Sequence, residues 1–266
     1  MQAELSWLLA TALHGALVLG VGARILLRED GTADSRMAWL VVIVLLPYLG
    51  ALLYLLMGEI RLGPQALGPY QRAGAVARQA LPDDAVQVLG TRALVDQLIA
   101  PRWQGAFRYG ESINGCAPRA GNAGELMADG DAARARMVAD MDAAQQHISV
   151  LYYIWLDDGT GQEVAQALMR AARRGVTCRA MVDGLGSRAL THSALWRRMQ
   201  EAGVHLAVAL PISRPLKVLL TSRIDLRNHR KITLIDGRIT YCGSQNCADA
   251  AFRVKARYAP WVDIML

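Results

Sequence analysis

The sequence has few cysteines, and none of them forms a recognisable metal-binding or redox pair. Its 266 residues include four, Cys116, Cys178, Cys242 and Cys247. No two of them have Cys-x-x-Cys spacing, and no histidine lies at zinc-finger spacing from them. Because this is ordinary usage for a chain of this length, we expect structural, reduced thiols rather than a disulfide framework.

Charged residues are also scarce, at 20% of the sequence, whereas hydrophobic residues make up 53%. This composition is too apolar for a disordered chain, and the 24 glycines and 9 prolines follow no collagen period. Mean hydropathy is +0.19, which is high for a soluble domain and predicts a local apolar excess. The net charge of +6 favours anionic partners: phosphate groups, nucleic acid or acidic lipid headgroups.

Charge is absent from two long runs near the N-terminus. Residues 5–23 have only His14 as an ionisable group, and residues 37–58 have neither charge nor histidine. As helices rising about 1.5 Å per residue, both runs are long enough to cross a hydrocarbon layer of ~30 Å. A cleaved signal peptide is the alternative for the first run, but residues 1–7 contain no lysine or arginine. We therefore predict a transmembrane helical hairpin over residues 1–60.

The charges that flank this hairpin leave its orientation open. Three arginines lie near the turn and three follow the second run (Arg24, Arg28, Arg36, Arg61, Arg72 and Arg78). The lack of a disulfide pattern favours a cytoplasmic main domain.

Residues 61–120 are rich in glycine, proline, alanine and arginine, and we predict a juxtamembrane linker there. Within it, the apolar stretch 85–99 predicts a short strand followed by a helix. We assign no chemistry to this range.

Beyond residue 120 the hydrophobic pattern alternates between helix and strand. It predicts helices over 131–146, 162–174 and 189–202, and strands over 147–156, 176–182 and 204–210. Strand, helix and strand in this order form a right-handed βαβ unit with parallel strands. The predicted fold class of the domain over residues 121–266 is therefore α/β.

The loop from Asp183 to Ser187 follows one of these strands and contains two glycines. Ligands of open α/β sheets bind beyond the carboxyl ends of the strands, so this loop is a candidate wall of a site. A tight turn explains the glycines equally well, and both interpretations stay open.

Residues 231–242 have the strongest local signal for a β-hairpin. Asp236-Gly237 separates two alternating apolar runs, which predicts antiparallel strands over 231–235 and 238–242. Because side chains alternate along a strand, we expect His229 and Lys231 on one face.

These two residues, with the segment after the hairpin, indicate a phosphate site. An imidazole beside an ammonium group provides a nucleophile and a charge that neutralises phosphate oxygens. Ser244 and Asn246 follow the second strand and offer a hydroxyl and an amide as donors.

The full pattern is more specific than any of its parts. It reads His229-x-Lys231-x4-Asp236, then six residues, then Gly-Ser-x-Asn. This pattern resembles the HKD motif of the phospholipase D superfamily. With the apolar runs and the segments 58–63, 152–158 and 227–231, the chain resembles bacterial cardiolipin synthases over almost its whole length.

The resemblance implies a fold and a reaction. The fold would be an N-terminal transmembrane helical hairpin followed by one phospholipase D-like α/β sandwich domain. In that family a motif histidine attacks the lipid phosphorus and forms a phosphohistidine, and a second lipid alcohol then displaces the enzyme. The implied product is cardiolipin, and the implied substrate is the anionic phospholipid phosphatidylglycerol at the cell inner membrane. No metal or other cofactor is implied, and the hairpin counts against nucleic acid as a partner.

The resemblance also implies a role for each motif residue. His229 would be the nucleophile or the acid/base, and Lys231 the phosphate clamp. Asp236 would be the motif carboxylate, and Ser244 and Asn246 would help to hold the phosphoryl oxygens.

Members of this family carry two HKD motifs, whereas this sequence has one. The other histidines (His14, His147, His192 and His205) all lack a lysine two residues later. One imidazole cannot be nucleophile and acid at the same moment, so we expect half a site. A C-terminal half or a second chain in a homodimer would complete it. The apolar run 261–266 is consistent with a domain that continues past Leu266.

Two alternatives remain at this point. One is a homodimeric phospholipase D-like phosphodiesterase that uses water as the acceptor. The other is an inactive lipid-binding fragment.

Overall fold

The computed structural model describes residues 2–28, 32–59, 97, 99–114, 118, 121–212, 227–252, 257 and 260–266. These residues divide into two compact units. The first contains the described residues up to 59, and the second contains those from 97 onward.

Helices alone make up the described part of the first unit. They are α1 (Gln2–Leu27), α2 (Ala33–Leu45), α3 (Pro47–Leu53) and a short π-helix (Tyr54–Gly58). The second apolar run is thus not one continuous helix. It is interrupted at Leu46, whose φ of −134° and ψ of 70° are not helical, and Pro47 opens the next helix.

None of the helices in the described ranges is both long enough and apolar enough to cross a membrane. The transmembrane hairpin therefore stays a prediction.

A small apolar core and a buried carboxylate hold the first unit together. The core contains Val21 and Ile25 of α1, Ile43 of α2, and Ala51 and Tyr54 of the following helices. Glu59 is buried at the end of the π-helix and forms ion pairs with Arg24 (2.5 Å) and Arg28 (3.0 Å).

The range predicted as a linker contains a helix, α4 (Pro101–Asn114), that was not predicted from the sequence. Trp103, Phe107 and Ile113 of this helix are exposed. Of the strand and helix predicted over 85–99, only residues 97 and 99 lie within the described part of the chain.

The second unit is built on a five-stranded sheet. Its elements are α5 (Gly130–Ala143), β1 (His147–Tyr152), α6 (Gly159–Arg173), β2 (Thr177–Asp183), α7 (Arg188–Thr191), α8 (Ala194–Glu201), β3 (His205–Ala209), β4 (Lys231–Ile235) and β5 (Ile239–Cys242). The strand order is β3-β2-β1-β4-β5, with β1, β2 and β3 parallel and β4 antiparallel to β1 and β5. The α/β class and the parallel βαβ unit are confirmed.

One face of the sheet carries the main core. Every second residue of β1 is buried (Ile148, Val150 and Tyr152), and β2 follows the same alternation. Buried methionines of α5 and buried aliphatic residues of α6 belong to the same cluster. Met137 and Met141 lie four residues apart on the buried face of α5.

Several predicted helix boundaries were wrong, because hydrogen bonds from capping side chains determine where the helices begin. Asp129 caps α5 by accepting from the amide of Ala132, so this helix begins at Gly130 and not at 131. Asp158 caps α6 by accepting from the amide of Gly161, so this helix begins at Gly159, three residues before the predicted start at 162.

The helix predicted over 189–202 is two helices, because Ser193 caps α8 through the amide of Trp196. Gly175 and Gly203 follow the predicted helix ends at 174 and 202, and their φ angles of +90° and +89° are typical of residues that terminate helices. β1 ends at Tyr152, four residues before the predicted end at Leu156.

Three of the four cysteines lie in the described ranges, and all three are free thiols. Cys178 and Cys247 are buried, and Cys242 is exposed. Burial raises the pKa of the Cys178 thiol to about 11.

Candidate active site

The predicted site residues meet, with one exception, at a single edge of the sheet. The parallel strands β1, β2 and β3 end there, and β4 begins there because it is antiparallel to β1. Lys231 pairs with Tyr152, so His229 lies just beyond the end of β1. Cys242 pairs with Ile232, so the segment after β5 reaches the same edge. This edge corresponds to the carboxyl ends of strands at which open α/β sheets bind ligands.

A buried ion pair fixes the segment that carries His229. The Arg227 guanidinium binds the Asp183 carboxylate, with Nη2 2.8 Å from Oδ1, and also donates to the carbonyl of Leu210 at 2.7 Å. The Asp183 side chain is completely buried and that of Arg227 is 7% exposed. Residues 227–230 are thereby attached to the ends of β2 and β3.

The loop after β2 is a tight turn that supports this ion pair. Asp183 Oδ1 accepts from the amides of Leu185 (2.8 Å) and Gly186 (3.0 Å). The Ser187 hydroxyl donates to the carbonyl of Tyr153 and accepts from the amide of Trp155, both at 2.9 Å. The loop therefore borders the site through Arg227 and Tyr153.

His229 and Lys231 are in direct contact. Lys231 Nζ lies 2.9 Å from His229 Nδ1 and donates to the His229 carbonyl at 2.7 Å. An ammonium group only donates, so Nδ1 accepts, and a neutral imidazole then carries its proton on Nε2. Lys231 is 5% exposed, whereas His229 faces solvent.

Tyr153 is a further site residue, and no role was predicted for it from the sequence. Its ring centroid lies 4.3 Å from that of His229, and Lys231 Nζ lies 5.5 Å from the same tyrosine ring. Tyr153 is held in place by Ser187, and a Cβ atom added to Gly186 would lie 2.4 Å from its carbonyl oxygen. Tyr153 comes one residue after β1 and lies in the segment 152–158 that contributes to the family resemblance. Its contacts depend on a residue 76 positions away in sequence, so the local pattern did not assign it to the site.

The surroundings of His229 and Lys231 lower the pKa values of both side chains. Desolvation, followed by the positive charge of Lys231, lowers the pKa of His229 below its usual range, and Asp183 opposes this shift. Desolvation lowers the pKa of Lys231, and Asp263 opposes it. The lowered pKa of His229 favours its uncharged imidazole at neutral pH.

Ser244 and Asn246 lie at the same edge of the sheet. The Ser244 hydroxyl donates to Asp263 Oδ1 at 2.7 Å and accepts from the amide of Ile264 at 3.0 Å. The Asn246 Oδ1 accepts from the amide of Ile154 at 3.2 Å, just after β1. The Nδ2 group of Asn246 carries the donors that a phosphate oxygen would accept.

Asp236 is the exception, because it lies at the opposite end of β4. The β4–β5 hairpin forms as predicted, with φ of +52° at Asp236 and +64° at Gly237. The Asp236 carboxylate accepts from the amides of Gln145, Gln146 and His147 at 2.8 to 2.9 Å. These hydrogen bonds lower the pKa of Asp236. The structure does not bring Asp236 together with His229 and Lys231.

Comparison with known proteins identifies similar sequences along most of the chain. Residues 137–257 match the family model described as "Cardiolipin synthase, PLD-like domain", and residues 16–59 match "Phospholipase D-nuclease N-terminal". Together the two matched segments span more than half of the chain.

Individual relatives agree with these matches. Cardiolipin synthase A of Erwinia tasmaniensis is 36% identical over 265 residues, and that of Escherichia coli is 35% identical over 268 residues. Each alignment covers 98% of this chain and 52% of the relative, so the chain spans about half the length of these proteins. The solved structure of Nuc, a phospholipase D family member from Salmonella typhimurium, aligns with 53% of this chain and 78% of its own at 19% identity and a TM-score of 0.37.

Proposed function

Since this chain belongs to the cardiolipin synthase family of phospholipase D-like proteins, we propose that it is a phosphatidyltransferase that makes cardiolipin from phosphatidylglycerol. The observation that carries the proposal is the contact between Lys231 Nζ and His229 Nδ1, at 2.9 Å, on the ligand-binding edge of the sheet. A buried ammonium beside an imidazole suits a phosphodiester, which brings one negative charge to the site.

The reaction begins when the phosphodiester of phosphatidylglycerol takes Lys231 as its counter-ion. His229 attacks the phosphorus, a P–N bond forms, and the bond between phosphorus and the glycerol headgroup oxygen breaks. An acid protonates the departing glycerol. The hydroxyl of a second phosphatidylglycerol then attacks the phosphorus, loses its proton to the same acid/base group, and breaks the P–N bond to give cardiolipin.

The acid/base group must be a second imidazole, because His229 is occupied by phosphorus during both steps. This chain contains one HKD motif and spans about half of its relatives' length. The second motif comes either from additional sequence, as that length allows, or from a second copy of the chain.

We place the protein at the inner membrane, where its substrate lies, with the first unit in contact with lipid and the catalytic unit in the cytoplasm. The exposed leucines and valines of α1 and α2 support lipid contact.

Lipid product analysis tests this function directly. The chain is incubated with phosphatidylglycerol vesicles carrying a labelled phosphate, and cardiolipin, phosphatidic acid and covalently bound label are measured. Where two copies of the chain complete the site, we expect cardiolipin and an acid-labile protein adduct, both lost in His229→Ala. His192→Ala is the matched control, because the ring of this exposed histidine contacts Arg188 and Thr191 of α7.

Other outcomes separate the alternatives. Phosphatidic acid without cardiolipin would identify a hydrolase that uses water as its acceptor. Equal turnover in His229→Ala and in the unchanged chain would contradict catalysis through this motif.

A further inference from the structure

Contacts in the first unit show that the chain reverses direction in the middle of the second apolar run. A Cβ atom added to Gly50 would lie 2.7 Å from the carbonyl oxygen of Val42. The rings of Trp39 and Tyr54 are 5.5 Å apart. In each pair, one residue precedes the interruption at Leu46 and Pro47 by about as many positions as the other follows it. The segment from α3 to the π-helix therefore runs antiparallel to α2.

Helix α1 is also antiparallel to α2. A Cβ atom on Gly22 would lie 3.7 Å from the Leu40 side chain, and Arg36 Nη2 donates to the Arg28 carbonyl at 2.5 Å. Residues further along α1 contact residues nearer the start of α2. The C-terminal end of α1 and the start of α2 therefore lie side by side.

By contrast, α1 runs parallel to the returning segment. His14 contacts Tyr48, with Nδ1 3.3 Å from the phenol oxygen, and Arg24 forms a bidentate ion pair with Glu59. These pairs are separated by 34 and 35 positions, a nearly constant offset. The return path thus ends at the level where α2 began.

Four charged side chains lie together at one end of the first unit. Arg24, Arg28, Arg36 and Glu59 lie at the end where α2 starts and the π-helix finishes. The opposite end of the α2–α3 reversal consists of Leu46, Pro47 and Tyr48. Helix α1 is about 21 Å long from His14 to Arg28, which is less than the ~30 Å of a hydrocarbon layer.

The reversal is suited to an apolar environment. Large apolar side chains point outward along it and are exposed on the unit (Val41, Val44, Leu45, Leu46, Leu49, Leu52 and Leu55). Two backbone hydrogen bonds bridge the interruption, with Leu46 N donating to Val42 O at 2.8 Å and Gly50 N to Leu46 O at 2.5 Å. Lipid requires such internal pairing, because it offers no partners to backbone groups.

We propose that α2, α3 and the π-helix form a re-entrant hairpin that enters the lipid bilayer and leaves it on the same side. The residues around Ser35 then lie on the same side of the membrane as the chain after Glu59, which continues into the catalytic unit. This differs from the hairpin predicted from the sequence, which places the first turn and the catalytic unit on opposite sides. The inference rests on the membrane association proposed above but not on the catalytic reaction.

Cysteine labelling in sealed vesicles tests this topology without reading turnover. Ser35→Cys and Glu201→Cys are introduced singly into the full chain with Cys116 and Cys242 replaced by serine. Ser35 and Glu201 are both exposed, and Glu201 ends α8 of the catalytic unit. Right-side-out and inverted inner-membrane vesicles are treated with an impermeant maleimide. We expect both cysteines to react in the same vesicle orientation and to remain unreacted in the other.

A third variant, Leu49→Cys, reports on the tip of the reversal. We expect no labelling of this cysteine in either orientation until detergent is added, because lipid covers it. Labelling in intact vesicles would show that water reaches this surface, and would overturn the proposal.

Two further results would also contradict it. If Ser35→Cys and Glu201→Cys react in opposite orientations, the second run crosses the bilayer. If alkaline carbonate removes the chain from the vesicles, the first unit is not inserted, and the membrane association itself fails. A loss of cardiolipin synthesis alone would leave these labelling results unchanged.

Discussion

At the scale of single residues, the contact between Lys231 and His229 determines which imidazole nitrogen carries the proton. While Lys231 donates to Nδ1, the neutral ring has its proton on Nε2, and neither nitrogen has an available lone pair. A bound phosphodiester competes for the ammonium group. When Lys231 moves to the phosphate oxygens, Nδ1 can take the proton and Nε2 can attack phosphorus. In the proposed reaction, substrate binding therefore activates the nucleophile.

The same contact predicts the pH dependence of His229. Its pKa is lowered by desolvation and by Lys231, so the neutral, nucleophilic form persists below the ordinary histidine value of about 6.5. Lys231→Gln removes the positive charge, and we expect the pKa of His229 to rise. NMR titration of the imidazole measures this without turnover. Arg230→Gln, which removes an exposed charge next to His229, is the control and should shift the pKa less. An unchanged titration in Lys231→Gln would contradict the assignment.

Asp236 gives a second prediction, because its carboxylate lies about 16 Å from Lys231 along β4 and binds three backbone amides. Asp236→Asn keeps a turn of the Asn-Gly type but loses the charge. We expect a loss of about 1 to 2 kcal/mol of unfolding free energy and unchanged turnover per folded molecule. Stability from the lowered pKa is present above the unfolded value and is lost as pH falls through the folded one, so the difference between variants should shrink in acid. Thermal unfolding at several pH values, compared with lipid turnover, checks both expectations. A large loss of turnover in fully folded protein would indicate a catalytic role.

At the scale of secondary-structure elements, the Arg227–Asp183 pair connects the ends of β2, β3 and the start of β4. Arg227→Met leaves the buried Asp183 carboxylate without its cation, which costs about 3 to 5 kcal/mol. We expect Asp183→Asn in the same chain to restore part of this loss, since no buried charge remains. Urea unfolding of the two single variants and the double variant measures the coupling. Arg230→Met is the control for removal of an exposed arginine. Strict additivity of the two substitutions would contradict the proposed pairing.

The elements that the sequence predicted correctly have local signals. The β4–β5 hairpin follows from Asp236-Gly237, and the helix stops follow from Gly175 and Gly203, all read from adjacent residues. The beginning of α6 was missed because the Asp158 cap looks like a turn until its hydrogen bond is seen. The reversal at Leu46 was missed because hydropathy records composition and not the path of the chain.

The site also combines residues that a local pattern predicts with residues that only the fold brings together. The motif spacing predicted that His229, Lys231, Ser244 and Asn246 lie together, and the structure places them at one edge of the sheet. The partners of Asp236 are about 90 residues away in sequence, and Arg227 and Asp183 are 44 apart. No local pattern connects such residues, so their roles emerge only from the fold.

At the scale of the whole molecule, the chain carries one HKD motif, whereas the proposed reaction needs an imidazole from each of two motifs. A symmetric dimer would solve this by placing two His229 side chains, one from each copy, in one site on the two-fold axis. Each copy would alternate between nucleophile and acid/base. The alternative is a second motif in additional sequence, in which case copies act independently.

Mixing experiments distinguish these arrangements. The unchanged chain is co-expressed with His229→Ala in known ratios, and cardiolipin formation is measured at constant total protein. If both histidines of a dimer are required, equal amounts of the two chains retain about one quarter of the activity, because random pairing gives that share of intact dimers. Independent chains would retain about one half. Mixing with His192→Ala, which leaves the motif intact, should retain full activity. A linear decline with the His229→Ala fraction, or no turnover at any ratio, would contradict completion of the site by a second copy.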